Sequence, residues 1–204
     1  KRSRKTSWKI SFLVMRAIDI EVVDDFVSPS YLQSVQKLLG SDAFDWHFQG
    51  SQSLNGYASD KVEDFGFSHG ILPPWQKNTF VESAPAYFLA PLIYQIKDHI
   101  EAENILRVRL DMTLLHKEGY IHPPHIDTDE PHLAAIVYIN ETDGPTVIYD
   151  HKDEFGGPFP DQMDVKQTID PKPGRLVVFD GSYVHTGYSP RAHQSRILIN
   201  AVFS

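Results

Sequence analysis

The chain has 204 residues, of which 41% are hydrophobic, 12% aromatic and 23% charged, a composition that can bury a core and excludes an intrinsically disordered chain. Lys and Arg number 19 against 27 Asp and Glu, which gives a net charge of −8. An acidic surface repels phosphate groups, so binding of nucleic acid or of anionic membranes is not expected.

The lack of cysteine and the composition of the N-terminal region indicate the compartment in which the protein is expected. Without cysteine there are no disulfides, thiol nucleophiles or cysteine-based zinc sites, as is typical of a reducing compartment. Residues 1–16 carry six basic side chains and no acid, and their apolar runs are too short for a signal peptide or membrane span. We therefore expect a basic, flexible extension over 1–16, one domain over 17–204, and a cytoplasmic location (the host cytoplasm for a phage-encoded chain).

The first predicted elements are a strand and two helices. Apolar residues alternate with polar ones over residues 18–22, which predicts a half-buried strand. Ser28 and Pro29 are typical of a helix start and Gly40 of a helix stop. An apolar stripe at helical spacing predicts a second, packing helix over residues 86–102.

The remaining segments are a long loop and a series of strands. Residues 41–82 are rich in Gly, Ser, Asp and aromatic side chains, and we expect them to be irregular. Short strands separated by Pro, Gly and Asp turns are predicted over 107–114, 133–140, 145–150, 163–169, 174–180 and 196–203. The fold class is therefore mainly β with flanking helices, a sandwich or jelly roll in which residues 17–103 give helical support and 104–204 form the core.

The strongest chemical signal is His125-Ile126-Asp127. In an extended segment residues i and i+2 point to one side, so His125 and Asp127 can share a metal ion. A buried strand and turn lead to a further ligand at His185. Two histidines and one carboxylate form the facial triad of non-heme Fe(II) oxygenases.

Arg196 adds a second signal. It lies at the start of an apolar strand, eleven residues after His185. A buried guanidinium is costly unless a carboxylate pairs with it, so either a structural salt bridge or a dicarboxylic cosubstrate is expected. Together with the triad, the cosubstrate is the favoured partner.

From Arg107 to the C-terminus the sequence resembles the 2-oxoglutarate and Fe(II)-dependent oxygenases, in particular the prolyl 4-hydroxylase-like branch with small phage and bacterial members. The resemblance rests on the order and spacing of residues 114–120, 125–127, 137–140, 143–149 and 173–180, followed by His185 and Arg196.

This resemblance implies a double-stranded β-helix (a cupin-like jelly roll) with His125, Asp127 and His185 as iron ligands. It implies that Arg196 and Tyr138 bind the distal carboxylate of 2-oxoglutarate, and it suggests His116 as a further cosubstrate contact. The cofactors are then Fe(II), 2-oxoglutarate and O2, with ascorbate as an accessory reductant. The expected reaction is hydroxylation of a C–H bond, in a prolyl-like peptide residue or a small molecule, with release of succinate and CO2.

Three departures from the family pattern are visible. Leu198 stands where relatives often carry a serine two residues after the arginine, and His116 stands near a family tyrosine. Gly144-Pro145 replaces a Gly-Gly turn. Asp127 itself is retained, which favours hydroxylation over halogenation, because related halogenases lack this carboxylate.

Two other functions stay open at this point. One is a cupin-type metalloenzyme without a cosubstrate, which would not need Arg196. The other is a catalytically silent binding module on the same fold. The oligomeric state is not indicated.

Other residues near the candidate ligands have weaker assignments. His122 is interpreted as an outer-sphere or exposed residue rather than a ligand. The candidates for substrate contact, by position only, are Tyr57, Asp60, Phe65, His69, Trp75, Arg107 and Arg109.

Overall fold

The structure, a computed structural model, describes residues 17–52, 64–153 and 159–204. The predicted extension over 1–16, together with Tyr57 and Asp60, lies outside the described residues. The elements in chain order are β1 (Ile20–Val23), α1 (Pro29–Leu39), β2 (His47–Gln49), β3 (Gly66–Leu72), α2 (Ala84–His99), β4 (Ile105–Leu114), β5 (Leu133–Tyr138), β6 (Thr146–Lys152), β7 (Val165–Ile169), β8 (Leu176–Asp180), β9 (Tyr183–Gly187) and β10 (Ser195–Phe203).

The strands form two antiparallel sheets. The larger sheet has the order β1-β8-β5-β10-β4-β3-β2, and the smaller has the order β7-β6-β9. Between the sheets lies an apolar cluster to which both contribute, with Ile136, Phe179 and Leu198 from the larger sheet and Ile148 and Tyr183 from the smaller. Two facing antiparallel sheets with this connectivity form the expected double-stranded β-helix.

The helices cover the outer face of the larger sheet. Leu89, Ile93 and Ile96 of α2 belong to one buried cluster with Val108 of β4 and Ile199 of β10. The larger sheet is therefore buried on both faces, which explains why every residue of β5 is buried. None of the described helices combines the length and the apolar character that spanning a membrane requires.

The structure confirms most predicted elements and corrects one segment. Helix α1 runs from Pro29 to Leu39, with Ser28 at its N-cap and Gly40 at its C-cap, as expected. The expectation that residues 41–82 are irregular is wrong, because β2 and β3 lie there and β3 pairs with β4. Hence residues 17–103 supply three strands of the larger sheet besides the two helices.

A strand ladder and an isolated β-bridge position the candidate functional side chains. Arg196 of β10 pairs with Thr113 of β4, and the side chains at alternate positions of these strands face the interior between the sheets. At the mouth of the interior, His125 and His185 form an isolated antiparallel bridge, in which each backbone N–H donates to the other residue's carbonyl at 3.0 and 2.9 Å.

Candidate metal and cosubstrate site

Three side chains that the sequence analysis singled out converge at this bridge. One ligand atom from each of His125, Asp127 and His185 lies within 4.8 Å of the other two. Nε2 of His185 is 3.8 Å from Oδ2 of Asp127, too long for a hydrogen bond. The spacing of these atoms suits three ligands around one ion.

The backbone orients both imidazole rings. Nδ1 of His125 is 3.1 Å from the carbonyl oxygen of Pro123, and Nδ1 of His185 is 3.1 Å from that of Tyr183. A carbonyl only accepts, so each Nδ1 carries the proton and each Nε2 keeps a lone pair. This is the tautomer that binds a metal through Nε2.

Arg107 fixes the carboxylate of Asp127. Its NH2 group donates to Oδ1 of Asp127, and the same nitrogen donates to Oδ1 of Asn200 at 3.1 Å. The other oxygen of Asp127, Oδ2, is buried and has no hydrogen-bond partner among the described residues. One oxygen is thus held by the protein, while the other faces the His185 ring.

Electrostatics keep the three groups in their ligand forms. Burial alone raises the pKa of Asp127, but the positive charge of Arg107 beside it outweighs burial and holds that pKa well below its usual range. Burial lowers the pKa of His125. Burial, together with the neighbouring His125 ring, lowers the pKa of His185 to about 4. An ionised carboxylate and two neutral imidazoles result, which is the donor set that Fe(II) takes in facial triads.

These residues therefore fit a divalent metal ion. The buried, unpartnered Oδ2 of Asp127 and the two lone pairs on Nε2 are acceptors only, and they point at one another. Acceptors gathered in this way are stabilised when a cation binds between them.

Arg196 lies deeper in the same interior and is only 5% exposed. Its Nε donates to the carbonyl of Gly144 at 2.8 Å, and its NH2 donates to Oγ1 of Thr146 at 2.8 Å. Among the carboxylates of residues 17–52, 64–153 and 159–204, none forms an ion pair with Arg196. Within the part of the chain that the structure describes, neutral oxygens meet its buried charge, which leaves N–H groups for an anion.

Two glycines make room for this guanidinium. A Cβ atom on Gly144 would lie 2.2 Å from the carbonyl oxygen of Tyr188 and 3.0 Å from Cδ of Arg196. A Cβ atom on Gly187 would lie 3.1 Å from NH1 of Arg196. The Gly144-Pro145 turn therefore does more than connect strands, since Gly144 both packs against Arg196 and accepts its hydrogen bond.

One cavity connects the metal-binding side chains with Arg196. The residues that line it include His125 and His185, then Arg196 with its neighbours Thr146 and Gly187, and the apolar side chains of Ile136 and Leu198. An anion held by Arg196 would therefore share this cavity with a metal held by His125 and His185.

The other predicted contacts lie elsewhere. Tyr138 is fully buried, and its hydroxyl lies 2.6 Å from Oγ1 of Thr146 while its ring packs under the Arg196 guanidinium, so it supports Arg196 from outside the cavity lining. His116 is also outside the lining; its ring contacts that of Tyr120. Of the substrate candidates, Arg109 lines the cavity, while Trp75 is 80% exposed.

The sequence did not predict a buried hydrogen-bonded pair, His122 and Asp64. His122 is buried and lines the cavity, with Nδ1 2.8 Å from Oδ1 of Asp64 and Nε2 3.1 Å from Oγ of Ser189. Both ring nitrogens of His122 have protein partners, and the interpretation that it is not a metal ligand stays a prediction. Asp64 is separated from it by 58 positions, and no local pattern links the two.

Comparison with solved structures identifies the fold. A 2OG-Fe(II) oxygenase family oxidoreductase from Burkholderia pseudomallei superimposes with a TM-score of 0.63 at 12% identity, covering 91% of this chain and 84% of that one. The epimerase SnoN from nogalamycin biosynthesis gives 0.63 at 13% identity, with 92% and 79% covered. A prolyl hydroxylase from Trichoplax adhaerens, solved with a hypoxia inducible factor peptide fragment, gives 0.61 at 14% identity, with 92% and 84% covered.

The fold is that of the 2-oxoglutarate and Fe(II)-dependent oxygenases, and the neighbours include prolyl hydroxylases, as the resemblance implied. No protein-family model and no curated protein matches the sequence. SnoN has also been solved with Fe3+, alpha ketoglutarate and nogalamycin RO, so the fold accommodates an iron, this cosubstrate and a small molecule together.

Proposed function

We propose that this protein is an Fe(II)- and 2-oxoglutarate-dependent oxygenase that hydroxylates a C–H bond of its substrate. The observation that carries the proposal is the cavity lined by both Arg196 and the two histidines, His125 and His185, that converge with Asp127 in the candidate metal site. A buried guanidinium without a described carboxylate partner is the feature that a dicarboxylate cosubstrate would complete.

Each residue has a role in this function. His125 and His185 hold the metal through Nε2, and Asp127 holds it through Oδ2 while Arg107 retains Oδ1. Arg196 pairs with the distal carboxylate of 2-oxoglutarate, steadied by Gly144 and Thr146. Bound Fe(II) would supply the activation of O2 and the oxidative decarboxylation of the cosubstrate to succinate and CO2.

The apolar wall shapes where the reaction occurs. Ile136 and Leu198 line the same cavity, and they offer apolar surface to the carbon chain of a bound cosubstrate. Arg196 also separates this function from a cosubstrate-free cupin-type enzyme, because such an enzyme gains nothing from a buried unpaired cation. Ascorbate would act outside the catalytic cycle, as a reductant of oxidised iron.

The test is an anaerobic absorbance titration of the metal-free protein with Fe(II) and then 2-oxoglutarate. We expect a visible charge-transfer band that requires both additions. Asp127→Ala removes one of three ligands and should weaken iron binding by more than the roughly 10–100-fold that loss of an outer contact costs. Arg196→Gln should leave iron binding intact and weaken 2-oxoglutarate binding by about 2–5 kcal/mol.

Two outcomes would overturn the proposal. Iron binding without a band in the wild-type protein would favour the cosubstrate-free enzyme. Failure to bind iron at all would favour a silent binding module. The exposed variant Lys117→Gln serves as a control and should behave as wild type in both titrations.

A further inference from the structure

We infer that the substrate is a free α-amino acid, bound as its zwitterion by Arg109 and Asp111. The inference rests on the proposed oxygenase function, because it names the substrate of the same cavity. It also departs from the prolyl-peptide substrate of the hydroxylase neighbour, since it requires two opposite charges on one small molecule.

Strand β4 carries both residues into the cavity. Arg109 and Asp111 are two positions apart, so their side chains leave the same face of the strand, and both line the cavity with His125 and His185. Nε of Arg109 lies 2.6 Å from Oδ1 of Asp111, and the side chains are 13% and 9% exposed. They form a nearly buried ion pair beside the candidate metal site.

A contribution to folding stability is a weak explanation for the presence of such an ion pair. Desolvation of two charges offsets most of their attraction, and well-packed apolar residues at such positions are often as stable or more so. The opposite face of β4 is filled in that way, by Val108 and Leu110. The charged pair occupies only the face that lines the cavity, where it can meet a ligand.

The pair lies apart from the cosubstrate position. The guanidinium of Arg196 contacts Gly144 and Thr146, whereas NH2 of Arg109 reaches the carbonyl of Gln52 at 3.4 Å. On the β4–β10 ladder Arg109 is paired with Asn200, four residues beyond Arg196. The cavity therefore presents two cationic positions on neighbouring strands of the larger sheet, and one dicarboxylate accounts for only one of them.

The second position has the charges of an amino-acid site. The outer N–H groups of a guanidinium suit a carboxylate, and an aspartate oxygen suits an ammonium group. In a free α-amino acid both groups sit on one carbon atom, so adjacent charges in the site can bind them together. A residue inside a peptide has neither charge.

The reaction balances with the proposed cosubstrate. One atom of O2 enters the C–H bond of the amino-acid side chain to give a hydroxyl group, and the other enters succinate. Two electrons come from the C–H bond and two from 2-oxoglutarate, which loses its 1-carboxyl group as CO2. No further reductant is required for each turnover.

The inference is tested by calorimetric binding of each protein amino acid to the Mn(II)- and 2-oxoglutarate-loaded protein without O2. At least one free amino acid should bind, and blocking either its amine by acetylation or its carboxylate as the amide should weaken binding at least about tenfold. With Fe(II) and O2, the same amino acid should raise succinate formation and gain the mass of one oxygen atom.

A double variant, Arg109→Gln/Asp111→Asn, removes both charges while it keeps a polar amide at each position. We expect amino-acid binding to fall at least about tenfold while 2-oxoglutarate binding is unchanged. The matched control is Arg175→Gln/Asp24→Asn, which neutralises a pair of the same Nε–Oδ1 distance, 2.6 Å, away from the cavity.

The outcomes separate the two proposals. A wild-type protein that forms no 2-oxoglutarate complex would overturn the proposed function. A normal complex that binds no free amino acid would overturn this inference alone. Loss of 2-oxoglutarate affinity in the Arg109→Gln/Asp111→Asn variant would overturn it as well, by assigning the pair to the cosubstrate.

Discussion

Two arginines on neighbouring strands, one largely buried and one fully buried, differ in the groups that meet their charge. Arg107 of β4 is matched within the chain, because its guanidinium contacts the carboxylate of Asp127 and the amide of Asn200. Arg196 of β10 donates to neutral oxygens of Gly144 and Thr146 and has no carboxylate partner among the described residues. The first has its counter-charge among the described residues, and the second is the one that we propose receives its counter-charge from a bound ligand. The sign of a mutation's effect on stability therefore distinguishes structural from ligand-binding cations.

The largest expected effect is the stability contrast between Arg107→Leu and Arg196→Leu in the metal-free protein. Arg107→Leu strands the carboxylate of Asp127 in the interior and should lower the free energy of unfolding by about 3–5 kcal/mol. Arg196→Leu removes a buried charge without a described counter-ion, and the free energy of unfolding should stay the same or rise. Urea denaturation of both variants checks this.

The same pair of variants has a control for the role of Asp127. In Arg107→Leu/Asp127→Leu both partners are gone, and most of the lost stability should return. If Arg196→Leu proved as destabilising as Arg107→Leu, Arg196 would have a structural counter-charge, and the comparison between the two arginines would break down.

The fold was predictable where periodicity and turn residues carry the signal. Strand β4 alternates cleanly, and Ser28, Pro29 and Gly40 mark both ends of α1. Strand β3 was missed because its sequence, Gly66 to Leu72, contains two glycines and no strict alternation, and it is recruited by pairing with β4 rather than by its own propensity.

The site was predictable to a similar extent. The triad and Arg196 were expected from short spacing and from the cost of a buried charge. The residues that orient them were not, because Arg107 and Gly144 act across 20 and 52 positions of sequence, and Asp64 contacts the neighbouring His122 across 58. Such contacts follow from sheet register, which a single sequence does not reveal.

A smaller effect is expected from Gly144→Ala. This substitution tests the contrast between Arg107 and Arg196, because Gly144 contacts Arg196 and not Arg107. The new methyl group would lie 2.2 Å from the backbone oxygen of Tyr188, so the loop must shift. We expect a loss of about 1–3 kcal/mol in unfolding free energy and weaker 2-oxoglutarate binding, with iron affinity unchanged. Calorimetric unfolding and the absorbance titration measure these quantities.

Gly70→Ala is the matched control for that substitution. A Cβ atom at Gly70 of β3 meets nothing within 4 Å among the described residues, so its unfolding free energy should stay within about 0.5 kcal/mol of wild type. Equal losses at both glycines would mean that backbone freedom, and not the packing around Arg196, sets the cost at Gly144.

The smallest effect is expected from Tyr138→Phe. The Tyr138 hydroxyl contacts Oγ1 of Thr146, which in turn accepts from Arg196, so the tyrosine acts on the cosubstrate through two intermediates. Loss of one neutral hydrogen bond costs about 0.5–1.5 kcal/mol of stability, and only part of it should reach the 2-oxoglutarate affinity in the absorbance titration. Thr146→Val removes a direct partner of Arg196 and should weaken that affinity more. The reverse order would show that the tyrosine hydroxyl contacts the cosubstrate carboxylate itself, as the family resemblance implies, and that the wall between Tyr138 and the cavity opens when the anion binds.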